Sequence, residues 1–139
     1  MKDKREYDII IWGATGFTGR LVAEYLHLNY NSNNLKWAIA GRDKQKLISM
    51  RDTFLDESVP IVIADSYDEK SLDEMTKTTK VVCSTVGPYA QYGSLLVKSC
   101  VNNKTNYCDL AGEAQWIRKM IDLHHEEAKN NEVKIVNLS

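Results

Sequence analysis

Three glycines near the start of the chain, Gly13, Gly16 and Gly19, have the spacing of a phosphate-binding turn between a strand and a helix. In such a turn Gly13 permits the sharp exit from the strand, Gly16 lets a pyrophosphate approach the main chain, and Gly19 allows the helix to pack closely. The free N–H groups of the first helical turn also attract phosphate, because the helix dipole is positive there. The spacing therefore predicts a bound dinucleotide. The predicted contacts in this loop are Gly13, Ala14, Thr15, Gly16, Phe17 and Thr18.

The end of the second predicted strand distinguishes between the two nicotinamide dinucleotides. Parallel strands place a ligand across their carboxyl ends, and this strand ends at Gly41 and Arg42. Proteins that bind NAD tend to have a carboxylate there for the ribose 2′-hydroxyl, whereas the guanidinium of arginine suits a phosphate. The sequence therefore favours NADP(H) over NAD(H), with Gly41 and Arg42 as contacts and Lys46 assisting. Asp43 is the opposing signal, since it favours NAD(H) if it binds ribose and is neutral if it caps the next helix.

Two further strand ends carry candidate cofactor contacts. Asp65 ends the third predicted strand, where its carboxylate either accepts a hydrogen bond from the adenine amino group or stabilises a turn. The fourth strand ends in Val86, Gly87 and Pro88, and this backbone is predicted to lie beside the nicotinamide half.

The sequence assigns no catalytic residue and no metal ligand. Asp109 and Glu113 stand near the predicted nicotinamide end, where each either faces a substrate or caps a helix. The Tyr-x-x-x-Lys pair of short-chain dehydrogenases is missing from the chain. A zinc helix needs His-Glu-x-x-His, but Lys129 stands where the second histidine would follow His125.

Short apolar runs alternate six times with segments of helical periodicity. The predicted strands are 9–12, 35–40, 61–64, 80–85, 106–109 and 133–138, and the later helices are 69–76, 94–101 and 113–129. This alternation is typical of an α/β fold with helices on both faces of a parallel sheet. Right-handed crossovers and a glycine loop on the first strand favour a doubly wound Rossmann fold with strand order 3-2-1-4-5-6.

Composition excludes several classes of protein. The 139 residues, of which 43% are hydrophobic and 27% charged, predict one globular domain. A formal net charge of −1 provides no basic field for nucleic acid, and no window approaches the ~20 apolar residues of a membrane span. Three cysteines without a C-x-x-C pair, together with a charged N-terminus unlike a signal peptide, predict free thiols in a reducing intracellular compartment such as the cytoplasm.

Several stretches together resemble the saccharopine dehydrogenase-like oxidoreductases. The resemblance covers essentially the whole chain. The matching stretches are Gly13–Gly19, Ala38–Arg42, Ser71–Met75, Val86–Tyr89 with Tyr92-Gly93, and Asp109–Glu113.

The resemblance implies a nicotinamide-binding Rossmann domain followed by a larger catalytic and dimerisation part. Residues 1–139 would then be the N-terminal dinucleotide-binding domain of a homodimeric parent, with the substrate domain beyond residue 139. The implied reaction is hydride transfer to or from a lipid or amino-acid-derived substrate, since mycobacterial relatives act as enoyl reductases on lipid precursors. Animal members of the family are expected at lipid droplets or mitochondria.

Two other functions remain open from the residues alone. One is a redox-sensing NADP-binding regulatory module without catalysis, which would share the glycine turn and lack Tyr-x-x-x-Lys. The other is a structural domain whose glycine loop has lost its ligand. The oxidoreductase interpretation predicts that this chain by itself binds cofactor without turnover.

Overall fold

A computed structural model describes residues 4–137. The strands are β1 (Tyr7–Trp12), β2 (Trp37–Gly41), β3 (Ile61–Ile63), β4 (Thr79–Ser84), β5 (Asn106–Asp109) and β6 (Ile135–Val136). The helices are α1 (Phe17–Asn29), α2 (Lys44–Phe54), α3 (Glu69–Thr76), α4 (Tyr89–Tyr92), α5 (Ser94–Asn102) and α6 (Ala114–Asn130).

The six strands form one parallel sheet in the order β3-β2-β1-β4-β5-β6. This order confirms the predicted doubly wound topology. In the centre of the sheet, Ile11 of β1 is in register with Ile39 of β2 and with Cys83 of β4. The strand order therefore reverses between β1 and β4, and a crevice opens beyond the carboxyl ends of these two strands.

Helices cover the sheet on both faces and divide the core into two clusters. On one face α1 and α2 contribute Ala23, Leu26, Leu47 and Met50, and on the other α3, α5 and α6 contribute a larger set. The members of that larger set include Leu72, Met75, Leu96, Val97, Trp116 and Met120. Neighbouring residues of the central strand enter opposite clusters, which explains why parallel strands have continuous apolar sequences.

Most predicted bounds agree with the structure to within two residues, and the main differences occur at two places. Residues 133–138 were predicted as the sixth strand, but only Ile135–Val136 pairs with β5; Leu138 lies outside the described residues. The N–H of Val133 donates to the carbonyl of Ala128 at 2.8 Å, so this residue closes α6 instead of opening β6. The four-residue helix α4 was not predicted, because one turn is too short to show periodicity.

None of the three cysteines forms a disulfide bond, in agreement with the prediction of reduced thiols. Cys83 and Cys108 are register partners on β4 and β5. The hydrogen bond with Cys108 and burial raise the pKa of Cys83, and burial raises the pKa of Cys100. High thiol pKa values disfavour the nucleophilic thiolate.

Candidate cofactor-binding site

A cleft of about 220 Å³ lies at the carboxyl ends of β1, β2 and β4. Six of the predicted contact residues line it: Gly13, Thr15, Gly41, Arg42, Asp65 and Val86. The remaining lining residues are Trp12, Asp43, Lys46, Ser66, Tyr67 and Tyr92. The topology thus brings together residues from four strand ends that are as much as 73 positions apart in sequence.

The predicted contacts outside this lining lie at its borders. Gly16, Phe17 and Thr18 form the exposed entry to α1, and the Phe17 side chain is 74% exposed. Ala14 is fully buried in the α1–α2 cluster, so only its main chain is available to a ligand. The other two, Gly87 and Pro88, are exposed and connect Val86 to α4.

The three loop glycines differ in how much space a Cβ atom would have. Gly13 has φ +90°, and a Cβ there would overlap the side chain of Val86. A Cβ on Gly19 would overlap the Gly13 carbonyl group. At Gly16 a Cβ would meet only the Gly13 oxygen, at 3.5 Å, so the protein leaves space above this residue. Gly13 and Gly19 are therefore required by the fold, whereas nothing in the protein itself requires glycine at 16.

The N-terminus of α1 differs from those of α2 and α3. Asp43 and Asp68 cap α2 and α3 by accepting hydrogen bonds from first-turn amides. The N-cap of α1 is Gly16, which provides no side-chain hydrogen bond, and its first turn contains no acidic residue. Its first-turn N–H groups are consequently available to an anion.

A threonine that the sequence reasoning missed fastens the glycine loop to β4. The Thr85 hydroxyl donates to the carbonyl of Trp12 at 2.9 Å, and its N–H donates to the same oxygen at 3.0 Å. These bonds hold the end of β1 against the end of β4, at the point where the strand order reverses. No local pattern signals this role, because the partners are 73 residues apart.

Two cations lie at the end of β2. Arg42 and Lys46 are both exposed and both line the cleft. The Asp43 carboxylate accepts a hydrogen bond from the Lys46 N–H at 3.1 Å, which confirms its interpretation as a helix cap. The cleft wall at this position is therefore suited to an anionic group.

Asp65 stabilises a turn. Its carboxylate accepts a hydrogen bond from the Tyr67 N–H at 2.8 Å, and its own N–H donates to the Ser71 hydroxyl at 3.0 Å. The turn places the Tyr67 ring 5.9 Å from the ring of Tyr92, centroid to centroid. These two tyrosines connect the β3 side of the cleft with α4.

The two carboxylates predicted near the fifth strand are both engaged by the protein. Buried Asp109 accepts hydrogen bonds from the Tyr107 hydroxyl at 2.6 Å and from the Ala111 N–H at 2.9 Å. Glu113 accepts from the N–H groups of Tyr89 and Ala90, at 2.7 and 3.0 Å. Of the two roles predicted for Glu113, the structure shows capping, although the helix that it caps is α4.

Two other cavities lie away from the glycine loop. One of about 180 Å³ lies between α6 and β6 and is lined mainly by apolar residues and by His124, whose pKa is lowered by burial. Another of about 490 Å³ lies at the amino ends of β1 and β2. Within residues 4–137 no group of three His, Cys, Asp or Glu side chains could hold a metal ion. No helix in this described part is long and apolar enough to cross a membrane.

Comparison with known families decides the identity of the domain. The family model of the saccharopine dehydrogenase NADP binding domain matches residues 9–136. The chain belongs to this family. The match confirms the resemblance drawn from the motifs, and it confirms NADP as the dinucleotide that the family's domain binds.

Curated relatives are about three times as long as the chain. The chain is 40% identical over 136 residues to a trans-acting enoyl reductase of Mycobacterium leprae, covering 96% of the chain and 32% of that protein. It is 39% identical over 136 residues to a lipid droplet localized protein of Caenorhabditis elegans, covering 94% of the chain and 32% of the relative.

Solved structures show the same fold at low sequence identity. Saccharopine dehydrogenase (L-Glu forming) from Saccharomyces cerevisiae aligns with a TM-score of 0.73 and 18% identity, over 95% of the chain and 27% of the enzyme. Citrobacter sp. triphenylmethane reductase, complexed with NADP(H), aligns with a TM-score of 0.67 and 16% identity, over 94% of the chain and 48% of the reductase.

Proposed function

We propose that this domain holds NADP(H) across the carboxyl ends of β1, β2 and β4, with the pyrophosphate at residues 13–18. The observation that carries the proposal is the uncapped, acid-free N-terminus of α1 beside the same cleft that contains Arg42. NADP(H) has two separate anionic groups, the pyrophosphate and the 2′-phosphate, and the cleft offers hydrogen-bond donors for each.

The residues present fit this cofactor. Space above Gly16 allows a phosphate to reach the main chain, and Thr15 and Thr18 provide hydroxyl donors at the exposed entry to α1. Arg42 binds the 2′-phosphate with its guanidinium, and Lys46 adds a second positive charge. Asp43 does not oppose this assignment, because its carboxylate caps α2.

The cleft then has two walls. The adenine-side wall consists of Arg42, Lys46, Asp65 and Tyr67, at the ends of β2 and β3. The nicotinamide-side wall is the connection 86–92, which continues from β4 and contributes Val86 and Tyr92 to the cleft. Gly41, Gly87 and Pro88 contact the cofactor through their main chains in this arrangement.

The parent protein is an oxidoreductase in this proposal, and its substrate is lipid-derived. The enoyl reductase among the relatives supports the substrate class. When bound, the cofactor supplies hydride transfer at the nicotinamide ring, while the residues of this chain bind it, orient it and neutralise its phosphates. The relatives do not favour a regulatory module without catalysis.

The lengths of the relatives support a division of roles between this chain and the rest of the parent protein. The chain spans about a third of its curated relatives, so we assign residues 1–139 to dinucleotide binding and place substrate binding and homodimerisation outside them. The chain alone is expected to bind NADPH without oxidising it in the presence of an enoyl substrate. Location at lipid droplets is also part of this proposal, supported by the worm relative.

Titration of the chain with NADPH and with NADH tests the proposal. Trp12 lines the cleft, so its fluorescence is expected to change when the cofactor binds. Arg42→Ala is expected to weaken NADPH binding by about 1–3 kcal/mol, the value of a charged hydrogen bond, and to leave NADH binding unchanged.

Lys44→Ala is the matched control, since Lys44 is an exposed cation of α2 outside the cleft lining. Equal affinity of the unmodified chain for both cofactors would contradict the role of Arg42. Absence of any NADPH binding would refute the proposed function.

A further inference from the structure

The Glu113 carboxylate joins two connections that are distant in sequence. One oxygen accepts a hydrogen bond from the Tyr89 N–H at 2.7 Å and the other accepts from the Ala90 N–H at 3.0 Å. Both amides belong to the start of α4, whose N-cap, Pro88, has no side-chain group to satisfy them. A glutamate from the β5–α6 connection therefore supplies the cap that the local sequence lacks.

Trp116 of α6 contacts both ends of α4. The Tyr89 ring stacks on the Trp116 ring at a centroid distance of 5.7 Å. The indole N–H of Trp116 donates to the Ser94 hydroxyl at 3.0 Å. A Cβ on Gly93 would lie 2.8 Å from the Trp116 ring, so the chain leaves α4 in direct contact with this indole. Both ends of α4 are thus fixed by residues 113–116.

The other face of this segment is part of the cofactor cleft. Val86 precedes α4 and Tyr92 ends it, and both line the cleft, whereas Glu113 does not. Val86 also lies against Gly13, where a Cβ would overlap its side chain. Any shift of the connection 86–92 therefore changes the width of the cleft and the room around the glycine loop.

We propose that Glu113 is a positioning residue, which holds the nicotinamide-side wall in place through the amides of Tyr89 and Ala90. It thereby sets the affinity for the nicotinamide half of the cofactor. This inference rests on the proposed function, because it requires NADP(H) in this cleft. Loss of the carboxylate leaves two amides without their acceptor, and the connection is expected to move until water or other groups satisfy them.

Comparison of two ligands isolates this role. NADPH spans both walls, whereas adenosine 2′,5′-bisphosphate carries the adenine half with its 2′-phosphate and lacks the nicotinamide. Glu113→Ala is expected to weaken NADPH binding about tenfold, as for the loss of a charge-assisted hydrogen bond. The same variant is expected to bind the bisphosphate within about twofold of the unmodified chain, because the adenine-side wall is untouched.

Two further variants complete the experiment, with affinities measured by calorimetry on the full chain. Glu113→Gln keeps one carbonyl acceptor and is expected to recover part of the NADPH affinity. Glu126→Ala removes an exposed glutamate of α6, the helix that follows Glu113, and is expected to change neither affinity. Melting temperatures identify variants that fail to fold; if Glu113→Ala is one of them, the Gln variant carries the test.

The outcomes separate this inference from the proposed function. Unchanged NADPH affinity in Glu113→Ala, or an equal loss of affinity for both ligands, would overturn the positioning role. The proposed cofactor site would still stand in that case if the unmodified chain binds the bisphosphate. Failure of the unmodified chain to bind either ligand would end both proposals.

Discussion

The two walls of the cleft are built in opposite ways. On the adenine-side wall Arg42, Lys46 and Tyr67 are exposed, and the side-chain hydrogen bonds that support the wall connect residues two to six positions apart. The nicotinamide-side wall is supported by buried Tyr89 and Trp116, and the supporting hydrogen bonds connect residues 22 to 24 positions apart. In the proposed binding mode we therefore expect one substitution on the first wall to change the ligand preference, whereas the geometry of the second wall depends on residues distant in sequence.

Replacement of Trp116 by alanine gives the largest expected effect. The substitution removes a buried aromatic side chain that packs on Tyr89, and we expect it to cost about 3–5 kcal/mol of unfolding free energy. Urea denaturation followed by circular dichroism measures this cost. Tyr67→Ala, on the exposed wall, serves as the control and is expected to stay within about 0.5 kcal/mol. A similar loss of unfolding free energy in the two variants would contradict the difference between the two walls.

The glycine loop between the walls allows a second, matched pair of substitutions. Gly19→Ala places a Cβ against the Gly13 carbonyl and is expected to destabilise the fold by about 1–3 kcal/mol through overpacking. Gly16→Ala is expected to leave stability unchanged, because its Cβ has room, and to weaken NADPH binding where the methyl group meets the pyrophosphate. Thermal unfolding and NADPH titration measure the two effects. A Gly16→Ala chain with full NADPH affinity would exclude the pyrophosphate from this position.

Arg42→Lys sharpens the description of the adenine-side wall. Lysine keeps the positive charge but loses the planar fork of donors, so NADPH affinity is expected to fall by about 0.5–1 kcal/mol with no change in stability. Competition between NADPH and NADH measures the change. A loss as large as that of Arg42→Ala would show that the fork, and not the charge, determines the preference.

Alkaline titration gives the smallest effect and tests the burial of the nicotinamide-side wall. Burial raises the pKa of Tyr89 above its ordinary value of 10.0. Tyr89 therefore contributes stability that is fully present below pH 10.0 and is lost as the pH rises through the folded-state pKa, because the unfolded chain releases the proton first. Unfolding free energies at about pH 9 and about pH 11 should show a smaller loss in Tyr89→Phe than in the unmodified chain. An identical loss in both chains would contradict the shift.

The comparison also explains which parts of the site were predictable. The role of Asp43 as a cap is local, since its partner is three residues away, and the sequence was sufficient to predict it. Thr85 and Glu113 act on partners 73 and 24 residues away, and no pattern in the neighbouring residues reveals them. Glu113 was recognised as a capping candidate, but its helix could not be named until the fold brought α4 beside α6.

The amino-acid sequence by itself determined the order and type of the main elements, the parallel sheet and the position of the glycine loop. These features follow from the periodicity of apolar residues and from backbone preferences, which act over a few residues and are independent of the rest of the chain. Only the tertiary structure decided how Thr85 holds the glycine loop, where β6 begins and which helix Glu113 caps. Each of these depends on the distance between atoms far apart in sequence, and packing alone sets that distance.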